Sequence, residues 1–538
     1  MRKRLISSVL IMLALTISGC SSSQQNTTTS SGEPPIIDNS GFKNINENDV
    51  FEIHTDEQKA FLEYQGDYLE CPTSLYPDGT KHLSDSKPIT LTWNYELPAD
   101  KTVEKFSVLY GQSKDLSDGY QVDGGTEDTI SFNNPYLGRN YYKLTATFTD
   151  GTIDETPIRH FEVDSTYPRN LTIAGMTNCR DLGGRVLEDG GKIKQGMIFR
   201  TSGKNQNGSL TDATTEEMVN HLKLKNEINL AGDSDSYNLK LTGTSLFEGS
   251  RMDTSSYGGY HHFSRNAEAV KNFFEFLEDP NNYPVYYHCK IGTDRTGLCT
   301  ILLTGLLGVK LNDIYQDYIF SNFGKIGERR AIGNGDSHDA MKYLNDIINF
   351  PGEKFQNKCY NILLSIGLSR ATLDAVIMNL TEGQNAKGNN ADQVIGRADV
   401  LTASGVEMII DDSVRDHPNA YYVLNNDSQS VSYQFTAKKD YNGTVVAYLG
   451  NSDASETKKI GDAISCDLDN SALQMIDQTY KQARMGQTDF KNTKRMHYFP
   501  VILGKIDIST GAHTIKINGT SNVMNLGGIY IFESNAAA

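Results

Sequence analysis

Residues 285–303 read VYYHCKIGTDRTGLCTILL and place Cys289 six positions before Arg295. A short β-prone run, residues 285–287, precedes the cysteine, and apolar residues at helical spacing follow the arginine from Leu298 onward. The pattern therefore predicts a strand, a tight loop and a helix. In such a loop the backbone N–H groups can point at one oxyanion, and the positive end of the helix adds to the field.

The side chains of this loop suit phosphate chemistry. The guanidinium of Arg295 can bind two phosphate oxygens at once, and in the same field Cys289 is expected to ionise below its usual pKa of about 8.5. We expect Thr296 to donate its hydroxyl to the sulfur, and His288 to shape the loop by hydrogen bonding rather than to take a proton. Gly292 supplies the backbone freedom that the turn needs. The predicted phosphate-binding loop comprises Lys290, Ile291, Gly292, Thr293 and Thr296.

Spacing alone does not identify the site, because Cys179 and Arg185 in NCRDLGGR stand equally far apart. The residues that follow them, VLEDGGKIKQG, are rich in turn formers and cannot begin a buried helix. The context of a strand before the cysteine and a helix after the arginine therefore favours Cys289 as the nucleophile.

Two motifs carry a family resemblance. HCKIGTDRTG resembles the His-Cys-five residues-Arg signature of cysteine-dependent phosphatases, and NCRDLGGR followed by IFRTS resembles the opening of the bacterial tyrosine and lipid phosphatase branch. The resemblance covers about residues 166–385. It implies an α/β phosphatase fold with a central sheet flanked by helices, hydrolysis of phosphomonoesters through a phosphocysteine, and no metal or cofactor. It also implies that Arg180 and Asp181 lie beside the site; the alternative is a structural ion pair between them.

The residue that protonates the leaving oxygen is left open. Asp294, inside the loop, resembles a catalytic acid of this branch, although it would have to be protonated at working pH. Other members carry the acid on a separate loop reading D-L-R-S. Here the corresponding stretch is INLAGDSDS, with Asn229 and Ala231 at the positions of the Asp and the Arg. The alternatives to Asp294 are therefore Asp233, Asp235 and Asp253.

The substrate is also left open. The presence of a lysine, Lys290, inside the loop resembles inositol phosphate or lipid phosphatases. An extra cation there suits a substrate with several phosphates. The alternative is a solvated lysine with no role in binding. The candidate substrates are phosphoprotein (phosphotyrosine or dual specificity), phosphoinositide and inositol polyphosphate. A second alternative is a surface protein with weakened catalysis that binds phosphate or sugar, because Asn229 and Ala231 replace the expected Asp and Arg. A third alternative is a sulfur transferase or arsenate reductase, although that function does not explain the CRDLGG motif.

The amino-terminal residues predict export. Residues 1–20 carry three early basic residues, an apolar stretch at 5–17 and small residues before Cys20. That stretch is shorter than the roughly 20 residues of a membrane-spanning helix, so it predicts a signal peptide. ISGC resembles the bacterial lipoprotein cleavage box, which implies lipidation of Cys20 and an extracytoplasmic, lipid-anchored protein at the bacterial cell surface. Residues 21–45 are polar, as in a flexible tether.

Strand-rich regions flank the predicted catalytic domain. Residues 46–165 resemble an immunoglobulin or fibronectin III β-sandwich, with Trp93 as its expected core aromatic. Residues 390–538 return to short strands, and AHTIKINGTSNVMNLGGIYIF at 512–532 resembles the end of a carbohydrate-binding β-sandwich module. DLDN at 467–470 could bind calcium, although short acidic turns are common. Sugar could stack on Tyr421, Tyr422, Tyr433, Tyr441 or Tyr448.

Composition excludes some classes of function. The net charge of −17 argues against nucleic acid as a partner and requires the local site to attract a polyanionic substrate. The seven cysteines are scattered without a short paired spacing, so neither a disulfide framework nor a metal site is predicted.

Overall fold

The computed structural model of the protein describes residues 38–231, 243–252, 263–326, 341–383, 394–397, 399–410, 420–451, 455–483 and 498–534. The predicted signal peptide, Cys20 and most of the tether lie outside these ranges. Residues Ser40–Ala538 form one compact unit. Within the described ranges, no helix combines the length and apolar character needed to cross a membrane.

The amino-terminal region is built from ten short strands. Its main sheet has the order β2-β10-β8-β5-β6, with β9 on β8, and the pairs β1–β4 and β3–β7 complete it within the described residues. Trp93 is buried in this core, edge-on to Phe42 and Phe106. The strands are β1 (Phe42–Lys43), β2 (Val50–Phe51), β3 (Ile89–Thr92), β4 (Asn94–Tyr95), β5 (Val103–Gly111), β6 (Tyr120–Asp123), β7 (Thr129–Phe132), β8 (Gly138–Phe148), β9 (Ile153–Glu155) and β10 (Arg159–Val163).

One segment of this region leaves the sheet. Helix α1 (Asp56–Leu62) begins at a capping box in which Thr55 and Gln58 exchange side-chain and backbone hydrogen bonds. Its Phe61 packs against Phe320 and Phe323 of the central domain rather than on the amino-terminal core. The amino-terminal region therefore contributes to the hydrophobic core of the predicted catalytic domain.

The central domain alternates strands and helices. Its sheet has the order β11-β12-β14-β17-β15-β16, and the last four strands are parallel. The strands are β11 (Arg169–Asn170), β12 (Arg180–Asp181), β13 (Lys192–Ile193), β14 (Ile198–Thr201), β15 (Asn226–Asn229), β16 (Ser245–Phe247), β17 (Val285–His288) and β18 (Thr381–Glu382). The helices are α2 (Asp212–Thr215), α3 (Ala267–Glu278), α4 (Asp294–Leu307), α5 (Leu311–Phe320), α6 (Met341–Ile348), α7 (Phe355–Ser365) and α8 (Arg370–Leu380).

Strand β17 is buried on both faces. Val285 and Tyr287 contribute to the large core, whereas Tyr286 packs with Phe199 in a smaller cluster on the other face. Parallel strands of this kind read as continuous apolar runs because helices cover both faces of the sheet. The loop that follows β17 opens at the carboxyl edge of the sheet, which is where ligands bind in open α/β folds.

The carboxy-terminal region forms two facing sheets. Their orders are β21-β22-β29-β24-β27, with β19 on β29, and β20-β23-β28-β25-β26. The strands are β19 (Val394–Arg397), β20 (Asp399–Ser404), β21 (Met408–Ile410), β22 (Ala420–Leu424), β23 (Ser430–Ala437), β24 (Tyr441–Gly450), β25 (Ile464–Leu468), β26 (Ser471–Ala472), β27 (Tyr498–Ile508), β28 (Gly511–Gly519) and β29 (Met524–Ser534).

This region docks on the central helices. Tyr448 of β24 shares a 2.7 Å hydrogen bond with Ser365 of α7, and Phe532 packs edge-on against Phe350. The outer face of β24 is therefore covered by the catalytic domain. The predicted sugar-stacking residues present no exposed ring, since all of Tyr421, Tyr422, Tyr433, Tyr441 and Tyr448 are buried.

The DLDN stretch comprises the last two residues of β25 and the two-residue hairpin turn that leads to β26. Asp469 and Asn470 both have positive φ, at 47° and 68°, as a tight type I′ turn requires. Asp469 accepts hydrogen bonds from the ring of His513 and the backbone of Thr514, so its carboxylate is occupied by protein donors. The geometry explains these acidic residues as a turn.

The described chain thus has an α/β domain between two β-sheet regions, in agreement with the predicted class. The immunoglobulin-like and carbohydrate-module identities of the flanking regions, and the exact domain boundaries, stay predictions.

Candidate active site

The loop between β17 and α4 carries the predicted nucleophile. Cys289 is almost fully buried, at 1% exposure, and Asp294 is buried at the first position of α4. Lys290 is exposed, Ile291 is half-buried, and both Thr293 and Thr296 are buried. The structure therefore brings the predicted loop residues together around the amino terminus of one helix.

The first loop carbonyls are turned outward. The carbonyl of Cys289 accepts a hydrogen bond of 2.9 Å from Nδ1 of His288, and that of Lys290 accepts one of 2.8 Å from the N–H of Gly203. When carbonyls bond to the surrounding scaffold, the N–H groups of a tight loop are directed toward its centre. This orientation makes the loop a receptor for an anion.

Gly292 completes the loop in a conformation reserved for glycine. Its φ is +73°, and a Cβ built on it would lie 2.4 Å from the carbonyl oxygen of Thr201. Its own carbonyl accepts hydrogen bonds from Nδ2 of Asn178 at 3.1 Å and from Nη2 of Arg200 at 2.6 Å. Two buried side chains therefore fix the orientation of this peptide.

The thiol of Cys289 lies in an environment that favours the thiolate. Burial by itself raises the pKa of Cys289, and the Asp294 carboxylate opposes ionisation as well. The positive charge of Arg295 and the neighbouring hydroxyl and backbone N–H of Thr296 outweigh both effects, so the pKa lies below the ordinary value.

The other described cysteines are inert by comparison. Burial raises the pKa of Cys71 to about 11 and that of Cys466 to about 12, and it raises the pKa of Cys179, Cys299 and Cys359 as well. Arg185, six residues after Cys179, turns away to Gln316 and stacks on Tyr167 at 3.7 Å. The two equally spaced cysteines thus differ in environment, since the pKa is lowered for Cys289 and raised for Cys179.

His288 holds the start of the loop. Its Nδ1 bonds to the carbonyl of Cys289, and its Nε2 lies 2.8 Å from the buried carboxylate of Glu227 on β15. Because both ring nitrogens are engaged by oxygens, neither is directed at the thiol. The positioning role of His288 stays a prediction.

Arg180 lies behind the loop rather than in it. Its Nε donates to Oδ1 of Asp317 on α5 at 2.8 Å, and its Nη1 donates to Oδ1 of Asn178 at 2.5 Å. Asp317 also accepts from Nη1 of Arg200 at 2.7 Å. Burial raises the pKa of Asp317, but the charges of Arg180 and Arg200 outweigh it and hold that pKa well below its usual range.

Asp181 belongs to a different network. It pairs with buried Arg169 at 2.9 Å and accepts backbone hydrogen bonds from Gly183 and Gly196. Arg169 in turn donates to the carbonyl of Pro135 in the amino-terminal region. Arg180 and Asp181 thus do not pair with each other. Arg180 contacts Asn178, which in turn contacts the loop at Gly292. Asp181 connects the central domain, through Arg169, with the amino-terminal region.

The structure describes only some of the candidate residues for protonating the leaving oxygen. Asn229 is the last residue of β15 and Ala231 lies two positions after it; the N–H of Ala231 bonds to Oδ1 of Asn229, and the N–H of Leu230 bonds to the carbonyl of His288. Of the four candidate acids, the structure describes only Asp294, which is near Cys289. The alternatives Asp233, Asp235 and Asp253 lie outside the described residues.

Sequence reasoning missed several supporting side chains. Asn178 and Arg200 were present in the two quoted motifs, NCRDLGGR and IFRTS, but had no assigned role. No sequence pattern indicates a buried role for Asp317 or Glu227, since an isolated acidic residue on a helix or strand is usually an exposed charge. No group of metal-ligating side chains is found among the described residues.

Comparison with known proteins gives one family match. Residues 171–357 match the model of the tyrosine phosphatase family. The "Putative tyrosine-protein phosphatase" of Cupriavidus necator is 25% identical over 208 residues, covering 33% of this chain and 74% of that protein. The chain is accordingly a hydrolase of the phosphatase type, as the sequence predicts.

Three solved structures illustrate the similarity of this chain to known folds, each with a low TM-score. The core catalytic domain of the PP-IP phosphatase SIW14 from S. cerevisiae is 21% identical, covering 30% of this chain and 83% of that one, with a TM-score of 0.21. A family 35 carbohydrate-binding module from an environmental isolate is 16% identical, covering 26% and 90%, with a TM-score of 0.19. The chain spans 32% of the length of an exo-β-1,3-galactanase from Phanerochaete chrysosporium, which is 12% identical with a TM-score of 0.20 and covers 28% of this chain.

Proposed function

We propose that this protein is an exported, lipid-anchored phosphatase that hydrolyses phosphomonoesters through a phosphocysteine on Cys289. The observation that carries the mechanism is the thiol itself. Among the described cysteines, Cys289 is the one whose pKa is lowered, and it lies in a loop with outward-turned carbonyls and the cation of Arg295. A thiolate beside an anion receptor is what attack on a phosphate ester requires.

The first step transfers the phosphoryl group. The Cys289 thiolate attacks phosphorus, the S–P bond forms, and the P–O bond to the leaving group breaks. Arg295 and the loop N–H groups bind the phosphoryl oxygens, where negative charge is concentrated in the transition state. Asp294, protonated at this stage, gives its proton to the leaving oxygen.

The second step regenerates the enzyme. The Asp294 carboxylate takes a proton from water as the water oxygen attacks phosphorus. The S–P bond breaks, phosphate leaves, and the electron pair returns to Cys289 as thiolate. Thr296 stabilises that thiolate by donating a hydrogen bond, which is consistent with its effect on the pKa of Cys289. The cycle uses one water for each phosphomonoester.

We keep three substrate classes within this proposal: phosphotyrosine or dual-specificity phosphoprotein, phosphoinositide, and inositol polyphosphate. The exposed loop lysine, Lys290, favours a substrate with more than one phosphate, since a second anionic group can bind it without entering the buried loop. The name of the Cupriavidus necator relative favours phosphotyrosine.

The test is a substrate panel with the purified protein and its Cys289→Ser variant. The panel contains para-nitrophenyl phosphate, a phosphotyrosine peptide, phosphoinositides and phytate. Turnover that depends on Cys289 is the expected result, and the preferred substrate assigns the class. Binding of vanadate without turnover of any substrate would instead indicate a surface protein that keeps the loop only to bind phosphate.

Lipid anchoring at Cys20 is tested separately. The support is the basic start, the apolar stretch and the ISGC sequence of residues 1–20. In a bacterial host fed a labelled fatty acid, the protein should incorporate the label and sediment with membranes, and Cys20→Ala should abolish both. Carbohydrate binding by the carboxy-terminal sandwich is a further proposal that rests on the strand pattern of residues 512–532 and not on the five buried tyrosines, and it is tested by retention of the protein on insoluble polysaccharides.

A further inference from the structure

Residues 79–86, GTKHLSDS, form an extended segment of the amino-terminal region that belongs to no strand; we name it the strap. The strap lies on the central domain. The carbonyl of Gly79 accepts from the N–H of Ile326 at 3.1 Å, and the N–H of Leu83 donates to the carbonyl of Phe323 at 2.6 Å. Nδ2 of Asn170 donates to the carbonyl of Ser84 at 2.9 Å. The strap is therefore held at several points along its length.

Two side chains of the strap contact the segment beside the catalytic loop. The hydroxyl of Ser84 accepts a hydrogen bond of 3.0 Å from the backbone N–H of Asn178. Nδ1 of His82 lies 2.7 Å from the hydroxyl of Thr177. Ser84 is 1% exposed, so this hydrogen bond is shielded from bulk solvent. The strap thus contacts the side chain of Thr177 and the backbone of Asn178.

Asn178 relays this contact to the loop. Its backbone is in the left-handed region at φ 56°, which is unfavourable for a residue other than glycine unless neighbouring contacts hold it. Its Nδ2 donates to the carbonyl of Gly292 at 3.1 Å and lies 3.4 Å from the hydroxyl of Thr293. One residue therefore connects the strap, through its backbone, with the loop, through its side chain.

We infer that Ser84 is a positioning residue for the catalytic loop, acting through Asn178, and that the amino-terminal region is consequently part of the active-site structure. The inference rests on the proposed phosphatase chemistry of Cys289. Without the Ser84 hydroxyl, the N–H of Asn178 is buried with no acceptor, which favours a change of its backbone. That change moves Nδ2 away from Gly292 and misaligns the loop N–H groups that stabilise the thiolate.

The experiment compares Ser84→Ala with Ser86→Ala in the full chain. Ser86 lies two residues further along the strap, is also buried, and directs its hydroxyl to Thr172 and Asn134 instead of the loop. The rate of Cys289 alkylation by iodoacetamide is measured against pH, together with kcat and KM. We expect Ser84→Ala to move the alkylation midpoint to higher pH and to lower kcat about tenfold, while Ser86→Ala matches the wild type.

The double mutant Ser84→Ala/Asn178→Gly tests whether Ser84 acts on the loop through Asn178. Asn178→Gly keeps the left-handed backbone but removes the amide, so adding Ser84→Ala to it should have little further effect on alkylation. Asn178→Gly also tests the second link if Ser84→Ala does not fold, as judged by thermal melting. Equal alkylation midpoints and kcat for Ser84→Ala and Ser86→Ala would overturn the inference. Absence of Cys289-dependent turnover in the wild type would instead refute the phosphatase proposal, and the alkylation comparison would still test the strap.

Discussion

Asp317 and Arg200 form a buried ion pair, with Oδ2 and Nη1 2.7 Å apart. The second Nη of Arg200 donates to the carbonyl of Gly292 in the catalytic loop. Asp317 lies on α5 and also binds Arg180, so one carboxylate balances two buried cations behind the loop. The loop geometry therefore depends on a residue that is distant from it in sequence.

Asp317→Asn should destabilise the protein by about 3 kcal/mol at pH 7, because it leaves two buried arginines without a counter-charge. Urea unfolding measures this change. Asp313→Asn, on the same helix but partly exposed, is the control and should cost less than about 1 kcal/mol. Equal losses for the two variants would contradict a special role for Asp317.

The same pair predicts a pH dependence of stability. The pKa of Asp317 in the folded protein lies below its ordinary value, which is about 3.9 in the unfolded chain. Its contribution is therefore fully present above about pH 4 and is lost as the pH falls through the folded-state pKa. Below pH 4 the free energy of unfolding should fall less steeply in Asp317→Asn than in the wild type, measured by urea unfolding at each pH.

Gly292→Ala should distort the loop. The new Cβ would meet the carbonyl oxygen of Thr201, and the positive φ is strained for alanine, at a cost of about 1–3 kcal/mol. We expect loss of turnover and a higher pKa for Cys289, measured by alkylation against pH. Gly125→Ala, where a Cβ has open space, should leave both unchanged. Full activity in Gly292→Ala would show that the loop does not need this conformation.

Arg295→Lys should lower kcat/KM about a hundredfold or more, because a lysine cannot bind two phosphoryl oxygens in the fixed geometry of a guanidinium. Steady-state kinetics on the preferred substrate measures the loss. Arg139→Lys on the exposed face of β8 serves as the matched substitution and should be neutral. A fully active Arg295→Lys enzyme would contradict the mechanism.

Asp294→Asn should discriminate between leaving groups. An alkyl phosphate needs a proton on its leaving oxygen, so its hydrolysis should slow about a hundredfold. Para-nitrophenyl phosphate leaves as a stable anion and should be affected far less. If both substrates slow equally, the acid is not Asp294, and the same comparison is then made with Asp233, Asp235 and Asp253.

Cys289 should be the cysteine that reacts first. Its pKa is lowered, whereas those of Cys71 and Cys466 are raised to about 11 and about 12. At neutral pH, substoichiometric iodoacetamide should label Cys289 ahead of the other described cysteines, as read by peptide mass spectrometry. Bound phosphate should protect it, since the anion occupies the same loop. Preferential labelling at Cys179 or Cys299 would contradict this assignment.

The local sequence was sufficient for the catalytic loop. A strand, a glycine-containing turn and a helix are encoded within residues 285–303, because β propensity, φ preference and helical periodicity act over neighbouring positions. The same local reasoning predicted Cys289 rather than Cys179 as the nucleophile, and burial raises the pKa of Cys179. Motif order predicted the α/β domain and its phosphatase class.

Only the tertiary structure decided which distant residues support that loop. Asp317, Glu227 and Ser84 are polar residues with no local pattern, and each gains its role from burial against a partner at least 60 positions away in the chain. The pairing of Arg180 with Asp317 and of Asp181 with Arg169 likewise follows from packing, since adjacent strand residues point to opposite faces of a sheet. Short-range preferences in the sequence determined the strand, turn and helix around the predicted nucleophile, and the fold determined the contacts behind this loop, which short-range preferences do not encode.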